Sequence, residues 1–155
     1  MVKIYNLKDK KQYLREVAIL EHNEWASNPT RDFESRIENK CKKIQGKLNK
    51  QDFCKLILVD GEKLIGFISI FPHDCDELPT LSPWYATMYV KREYRGKGYS
   101  KILNDAILEE AKKRNYREIY LKSELKNYYE KFGAIYIKNI NDKEKLYKFN
   151  LYWIE

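Results

Sequence analysis

The sequence predicts an α/β (α+β) fold, a central mixed and mostly antiparallel sheet with helices on both faces. Three observations carry this. Two apolar, β-branched runs, Phe53 to Val59 and Leu64 to Phe71, flank Asp60-Gly61, a strong hairpin signal. The nearly unbroken apolar run from Trp84 to Val90 is typical of a strand covered on both faces. It leads into an amphipathic helix and then a further strand, and such a strand-helix-strand unit closes with parallel strands and a right-handed crossover.

The other elements follow in order. Val2 to Tyr5 reads as a short strand. Asp9 is placed to cap a helix reaching about Trp25, in which Tyr13, Leu14, Val17 and Ala18 recur at helical spacing. Ser27-Asn28-Pro29-Thr30 breaks it, and a second helix runs from about Arg31 to Lys47, carrying Phe33, Ile37, Cys41 and Ile44 on one face. Pro72 to Pro83 is polar and reads as a loop. The helix from about Gly98 to Arg114 buries Ile102, Leu103, Ala106, Ile107 and Ala111. Glu109 and Glu110 precede Lys113 and Arg114 by one helical turn, and Asn115 can end the helix. Glu118 to Leu121 is a strand, and Leu125 to Phe132 a short helix stopped by Gly133. Strands from about Ala134 to Lys138 and from Leu146 to Trp153, joined by a turn at Asn141-Asp142, complete the order β-α-α-β-β-β-α-β-α-β-β.

A chain of 155 residues, 43% hydrophobic and 34% charged, suits one domain over 1–155 with a continuous core. It has no apolar run long enough to span a bilayer, and Met1-Val2-Lys3-Ile4-Tyr5 lacks the apolar stretch of a signal peptide. The cytoplasm is therefore the expected location. Cys41, Cys54 and Cys75 form no Cys-x-x-Cys pair, and only His73 lies near one of them. Neither a metal site nor a disulfide framework is expected, and the thiols read as reduced and structural. The net charge of +7 would suit a polyanionic ligand. Its lysines are interspersed with glutamates, as on solvated helix faces, which does not favour a nucleic-acid partner.

The stretch Arg95-Gly96-Lys97-Gly98-Tyr99-Ser100 follows the buried strand and opens the amphipathic helix. The first N–H groups of a helix have no internal partner and lie at the positive end of its dipole. An anion there satisfies both, as at phosphate-binding helix N-termini. Glycines let the backbone come close to the anion, and Arg95 and Lys97 add positive charge. The spacing is neither that of a P-loop nor that of the Gly-x-Gly-x-x-Gly dinucleotide fingerprint.

In this context the chain resembles the GNAT acyltransferase superfamily, whose main signature is a strand, then Arg/Gln-x-x-Gly-x-Gly/Ala, then a helix. Trp84 to Val90 supplies the aromatic-rich strand, and Tyr94-Arg95-Gly96 the lead-in. Ser100 stands where Gly or Ala is usual; it is small and keeps its main-chain N–H. A second block, Tyr128-Tyr129-Glu130-Lys131-Phe132-Gly133-Ala134, is similar to the family's Tyr-x-Lys-x-Gly-Phe, with Ala134 for Phe. The resemblance covers about Phe53 to Ile137. Trp25 and Trp84-Tyr85 are similar to small bacterial members.

The resemblance implies a GNAT-like acyl-CoA N-acyltransferase fold with a splayed parallel strand pair. It also implies direct acetyl transfer from acetyl-CoA to a primary amine of a small molecule or protein, with no metal. The pyrophosphate would sit on the main-chain N–H groups of Arg95, Gly96, Lys97, Gly98, Tyr99 and Ser100. The thioester oxygen would take a main-chain N–H at Tyr89 or Val90. Tyr129 aligns with the tyrosine that protonates the departing thiolate; a phenol can donate to sulfur. Asn127 is placed either to bind the pantetheine arm or to start a helix.

No general base is identifiable. His73, Asp74, Asp76 and Glu77, in the loop before the central strand, would attract an ammonium-bearing acceptor. Cys75 has no His-Asp or His-Asn constellation to make it a nucleophile. The rival classes are a coenzyme A-binding sensor of the same fold lacking catalysis, and a charge-driven nucleic-acid binder. A last strand with Tyr147, Phe149, Leu151 and Trp153 on one face could pack internally or pair across a homodimer. No membrane partner is expected, and the acceptor is an amine that the sequence does not name.

Overall fold

The computed structural model describes residues 1–151. Seven strands, β1 (Val2–Asn6), β2 (Cys54–Asp60), β3 (Lys63–Phe71), β4 (Trp84–Val90), β5 (Glu118–Ser123), β6 (Ile135–Asn139) and β7 (Lys145–Asn150), form one sheet in the order β1-β2-β3-β4-β5-β7-β6. The helices are α1 (Leu14–Trp25), α2 (Phe33–Lys47) and α3 (Tyr99–Lys113). Side chains alternate across each strand, so each face has its own core. Val17 and Ala18 of α1 and Ile37 and Ile44 of α2 cover Ile57, Val59 and Phe67. On the opposite face, Leu103, Ile107 and Ala111 of α3 pack against Leu58, Ile65, Ile68 and Ile70.

All neighbouring strands are antiparallel except β4 and β5, which are parallel and in register only at Trp84 and Tyr120. The Tyr120 N–H donates to the Pro83 carbonyl at 3.0 Å, and beyond that point the two strands have no further paired residues. β4 is also irregular on its other side. Its register with β3 shifts between Phe67 and Ser69, and Thr87 takes φ +50°, a left-handed conformation that β-branched residues rarely adopt. Gly66 lies against this segment. A Cβ there would run into the Tyr89 carbonyl, so β3 and β4 approach more closely here than any other residue would allow.

Three boundaries differ from expectation. Helix α1 starts at Leu14, not beside Asp9, because two 3₁₀ turns, Leu7–Asp9 and Lys11–Tyr13, come first. The first is capped by the Asn6 side chain, which accepts from the Lys8 N–H at 3.0 Å, and it folds Leu7 fully into the core. The short helix expected over Leu125 to Phe132 is only a 3₁₀ turn, Tyr129–Phe132; Asn127 at φ +56° interrupts any helix before it. The last described strand ends at Asn150, with Tyr147, Phe149 and Leu151 buried, and Trp153 lies outside the described residues.

Helix α3 ends as anticipated at Asn115, which takes φ +68°. Its N–H donates to Lys112 at 2.9 Å and that of Tyr116 to Ala111 at 3.1 Å, the paired bonds of a Schellman motif. Among the described residues no helix is long and apolar enough to cross a membrane.

Candidate functional site

Two clefts open where β4 and β5 part. The first, of about 330 Å³, is lined by Tyr89 and Val90 of β4, by Arg95, Gly96, Gly98, Tyr99 and Ser100, and by Tyr128 and Tyr129. Its floor is the start of α3. Gly98 is the N-cap at φ +82°, and no side chain caps the helix, so its first N–H groups have no intrahelical partner and lie at the positive end of the dipole. Gly96 also takes positive φ, +78°, and at both glycines the space a Cβ would enter is open. These two positions need glycine for their backbone conformation.

The basic side chains of the loop are placed unequally. Arg95 Nε donates to the Val90 carbonyl at 2.7 Å, and the guanidinium lies over the Tyr89 ring, 5.4 Å from its centroid. It thus ties the loop to the end of β4 and sets cationic charge beside the cleft. Lys97 and Asn127 are exposed and line neither cleft. Tyr128 Oη donates to Ser100 Oγ at 3.4 Å, joining the Tyr129 turn to the first turn of α3.

The second cleft, of about 800 Å³, is acidic. Glu21, Glu24, Asp74, Glu124 and Glu144 line it, against Lys40 and Lys122, in a chain whose net charge is +7. Lys40 is already paired with Glu21 at 3.2 Å. Of the carboxylates in the loop before β4, only Asp74 reaches this cleft. Burial pushes its carboxyl up to about 6, against the pull of Lys122. Glu77 instead accepts from Asn141 Nδ2 at 3.2 Å and from the Cys75 thiol at 3.6 Å. Cys75 has no histidine partner, and burial pushes its thiol up, which suits a packed thiol and not a nucleophile. Among the described residues no group of three or more His, Cys, Asp or Glu could hold a metal ion.

The clefts share four lining residues, Glu24, Met88, Leu125 and Tyr129. Tyr129 is held edge-on between Tyr128, 4.8 Å away between ring centroids, and Tyr85, 5.8 Å away. Burial, then the neighbouring Tyr128, pushes its phenol up to about 12. It therefore carries its proton throughout the neutral range. Its hydroxyl has no hydrogen-bond partner among the described residues. Glu24, on the last turn of α1, is the one carboxylate common to both clefts. Sequence reasoning passed over it because an exposed glutamate on a helix carries no signal of its own. Only long-range packing at the end of α1, marked by the Trp25 ring 6.4 Å from Tyr89 of β4, brings it to the junction.

A seven-stranded mixed sheet, one parallel pair that parts and an uncapped helix at the parting define the acyl-coenzyme A N-acyltransferase fold. A family model, Acetyltransferase (GNAT) family, matches residues 13–134, and the chain belongs to that family. No curated protein matches it. Solved structures share the fold. PaiA N-acetyltransferase from Thermoplasma acidophilum, in complex with coenzyme A, has a TM-score of 0.68 at 20% identity, covering 97% of this chain and 99% of that one. A GNAT-family acetyltransferase from Staphylococcus aureus has a TM-score of 0.66 at 20% identity, covering 97% and 99%. Aminoglycoside 6'-acetyltransferase type Ii has a TM-score of 0.64 at 18% identity, covering 100% and 99%.

Proposed function

We propose that this protein transfers an acetyl group from acetyl-coenzyme A directly to a primary amine of a small molecule or protein. The observation that carries the reading is the junction. A cleft that ends on uncapped helix amides meets an acidic cleft, and a protonated phenol and a carboxylate stand where they join. The coenzyme A complex of the PaiA N-acetyltransferase supports the same choice of ligand.

Acetyl-coenzyme A, when bound, supplies an activated thioester carbonyl. The N–H groups at the start of α3 hold its pyrophosphate, and a main-chain N–H of Tyr89 or Val90 polarises the carbonyl. Asp74 and Glu144 draw an ammonium-bearing acceptor into the second cleft. Once the ammonium has lost one proton to solvent and its nitrogen carries a free lone pair, Glu24 takes a second proton from that nitrogen as the C–N bond forms, and Tyr129 gives its proton to the sulfur as the C–S bond breaks. The deciding experiment is a panel of amines scored by release of free thiol. Turnover of any of them supports the reading. Tight coenzyme A binding with no turnover would instead favour a sensor.

Two substitutions separate binding from chemistry. Replacing Glu24 by Gln should lower kcat by about 10²-fold, with calorimetric affinity for coenzyme A unchanged. A kcat equal to that of the wild type would remove Glu24 as the base. Replacing Gly98 by Val puts a β-branched residue at φ +82°, a conformation costing roughly 1–2 kcal/mol for an ordinary L-residue. Turning the first amides of α3 away should then weaken coenzyme A binding by about tenfold or more. Unchanged affinity would place the pyrophosphate elsewhere.

A further inference from the structure

We propose that Lys55, which lines neither cleft, is a positioning residue that holds β4 in its irregular conformation through a buried polar chain. Lys55 is 1% exposed, and Glu21 is 4% exposed. The ammonium is ion-paired with the Glu21 carboxylate and donates to Ser69 Oγ at 2.7 Å. It also reaches Thr87 Oγ1 at 3.5 Å. The Ser69 and Thr87 hydroxyls share a further hydrogen bond of 2.6 Å. The second oxygen of Glu21 is ion-paired with Lys40. Around the ammonium stand the rings of Phe53, Phe67 and Phe71, 5.8, 5.9 and 5.0 Å from Nζ.

A lysine in such a place calls for a reason. Taking an ammonium and a carboxylate out of water costs so much that apolar side chains of similar volume often serve stability as well or better. Apolar side chains, however, could not fix the Thr87 hydroxyl. That hydroxyl belongs to a β-branched residue at φ +50°, a conformation that persists only where the surroundings over-determine it. Thr87 lies where the β3–β4 register shifts. Without the hydrogen bonds from Lys55 and Ser69, the strand gains by relaxing to ordinary extended backbone. Loss of the shift would move the following residues by one position, and in a strand one position turns each side chain to the other face. The residues affected are Met88, which lines both clefts, and Tyr89 and Val90, which line the first. The buried chain therefore determines which groups of β4 meet the junction, although Lys55 itself lines neither cleft.

The activity arm of this inference rests on the acetyltransferase reading, but its structural arm does not. Lys55→Met keeps the length of the side chain and removes the donors. Ser69→Ala interrupts the chain while leaving Lys55 paired with Glu21, and so remains informative if Lys55→Met does not fold. For each folded variant, amide hydrogen exchange is followed in the full-length protein for residues 86–90, with β6 and β7 as the internal reference. In parallel, kcat and calorimetric affinity for coenzyme A are measured. The expected result is exchange about tenfold faster in residues 86–90 with β6 and β7 unchanged, together with a kcat loss of similar size and weaker coenzyme A binding, since Tyr89 and Val90 line that cleft. Wild-type exchange in 86–90, or acceleration spread evenly through the sheet, would overturn the proposal. So would localised exchange with undiminished kcat. If the wild-type protein acetylates no amine, the exchange measurement alone decides, and the failure belongs to the acetyltransferase reading.

Discussion

Replacing Tyr129 by Phe is expected to lower kcat by about 10²-fold while leaving coenzyme A affinity nearly intact. The ring sits edge-on between Tyr85 and Tyr128, and phenylalanine keeps both aromatic contacts, so the fold loses little. What goes is the hydroxyl. Burial holds that phenol near 12, so at neutral pH it is a standing donor with no protein acceptor competing for it among the described residues. A thiolate that leaves unprotonated is a poorer leaving group, and the deficit should shrink with thioesters whose thiols are more acidic. That dependence separates proton donation from a merely structural part. Steady-state kinetics over a series of thioesters provides the check. Unchanged turnover, or a deficit independent of the leaving thiol, would take the role away from Tyr129.

Replacing Trp84 by Ala is expected to destabilise the protein by about 3–5 kcal/mol, measured by urea unfolding. Trp84 is fully buried, its indole N–H donates to the Leu81 carbonyl at 2.8 Å, and its ring packs on Tyr120 at 5.9 Å. It also sits at the one position where β4 and β5 are in register. The truncation therefore creates a large cavity and weakens the contact between the two parts of the sheet. A loss below about 1 kcal/mol would mean that the site collapses around the smaller residue.

Much of the fold was legible because hydrophobic period and punctuation agree. β4 matches its expected span, since a strand buried on both faces needs a continuous apolar run. α3 shows a glycine before it, Asn115 after it and a buried stripe of Leu103, Ile107 and Ala111, whereas Ile102, expected in that stripe, is 38% exposed. The start of α1 was less legible. A buried Leu7 pulls the chain into 3₁₀ turns that tertiary packing, and not local propensity, selects. The Tyr129 segment misled for a related reason, because Asn127 adopts a left-handed conformation that its neighbours do not announce.

The candidate site divides in the same way. The helix start at Gly98 carries its chemistry in consecutive residues and could be read from the sequence. Glu24 on α1 reaches the junction, and Lys55 on β2 reaches Thr87, only through long-range packing. Thr87 gave no sign of the irregularity it occupies, because bulges are usually sought at glycines.

The single pairing of Trp84 with Tyr120 has a mechanical consequence. Helix α3, Glu24 and the main chain of β4 lie on one side of that seam, and the Tyr129 turn lies on the other, moored by the Tyr147 hydroxyl to the Leu125 carbonyl at 2.9 Å. The seam has too few rungs to be stiff by itself. A ligand seated along it would add to the side-chain ties, Tyr128 to Ser100 and Tyr85 to Tyr129, that already join the two sides. Affinity and rigidity would then rise together, and release of product would be the moment at which the two sides of the sheet regain their freedom.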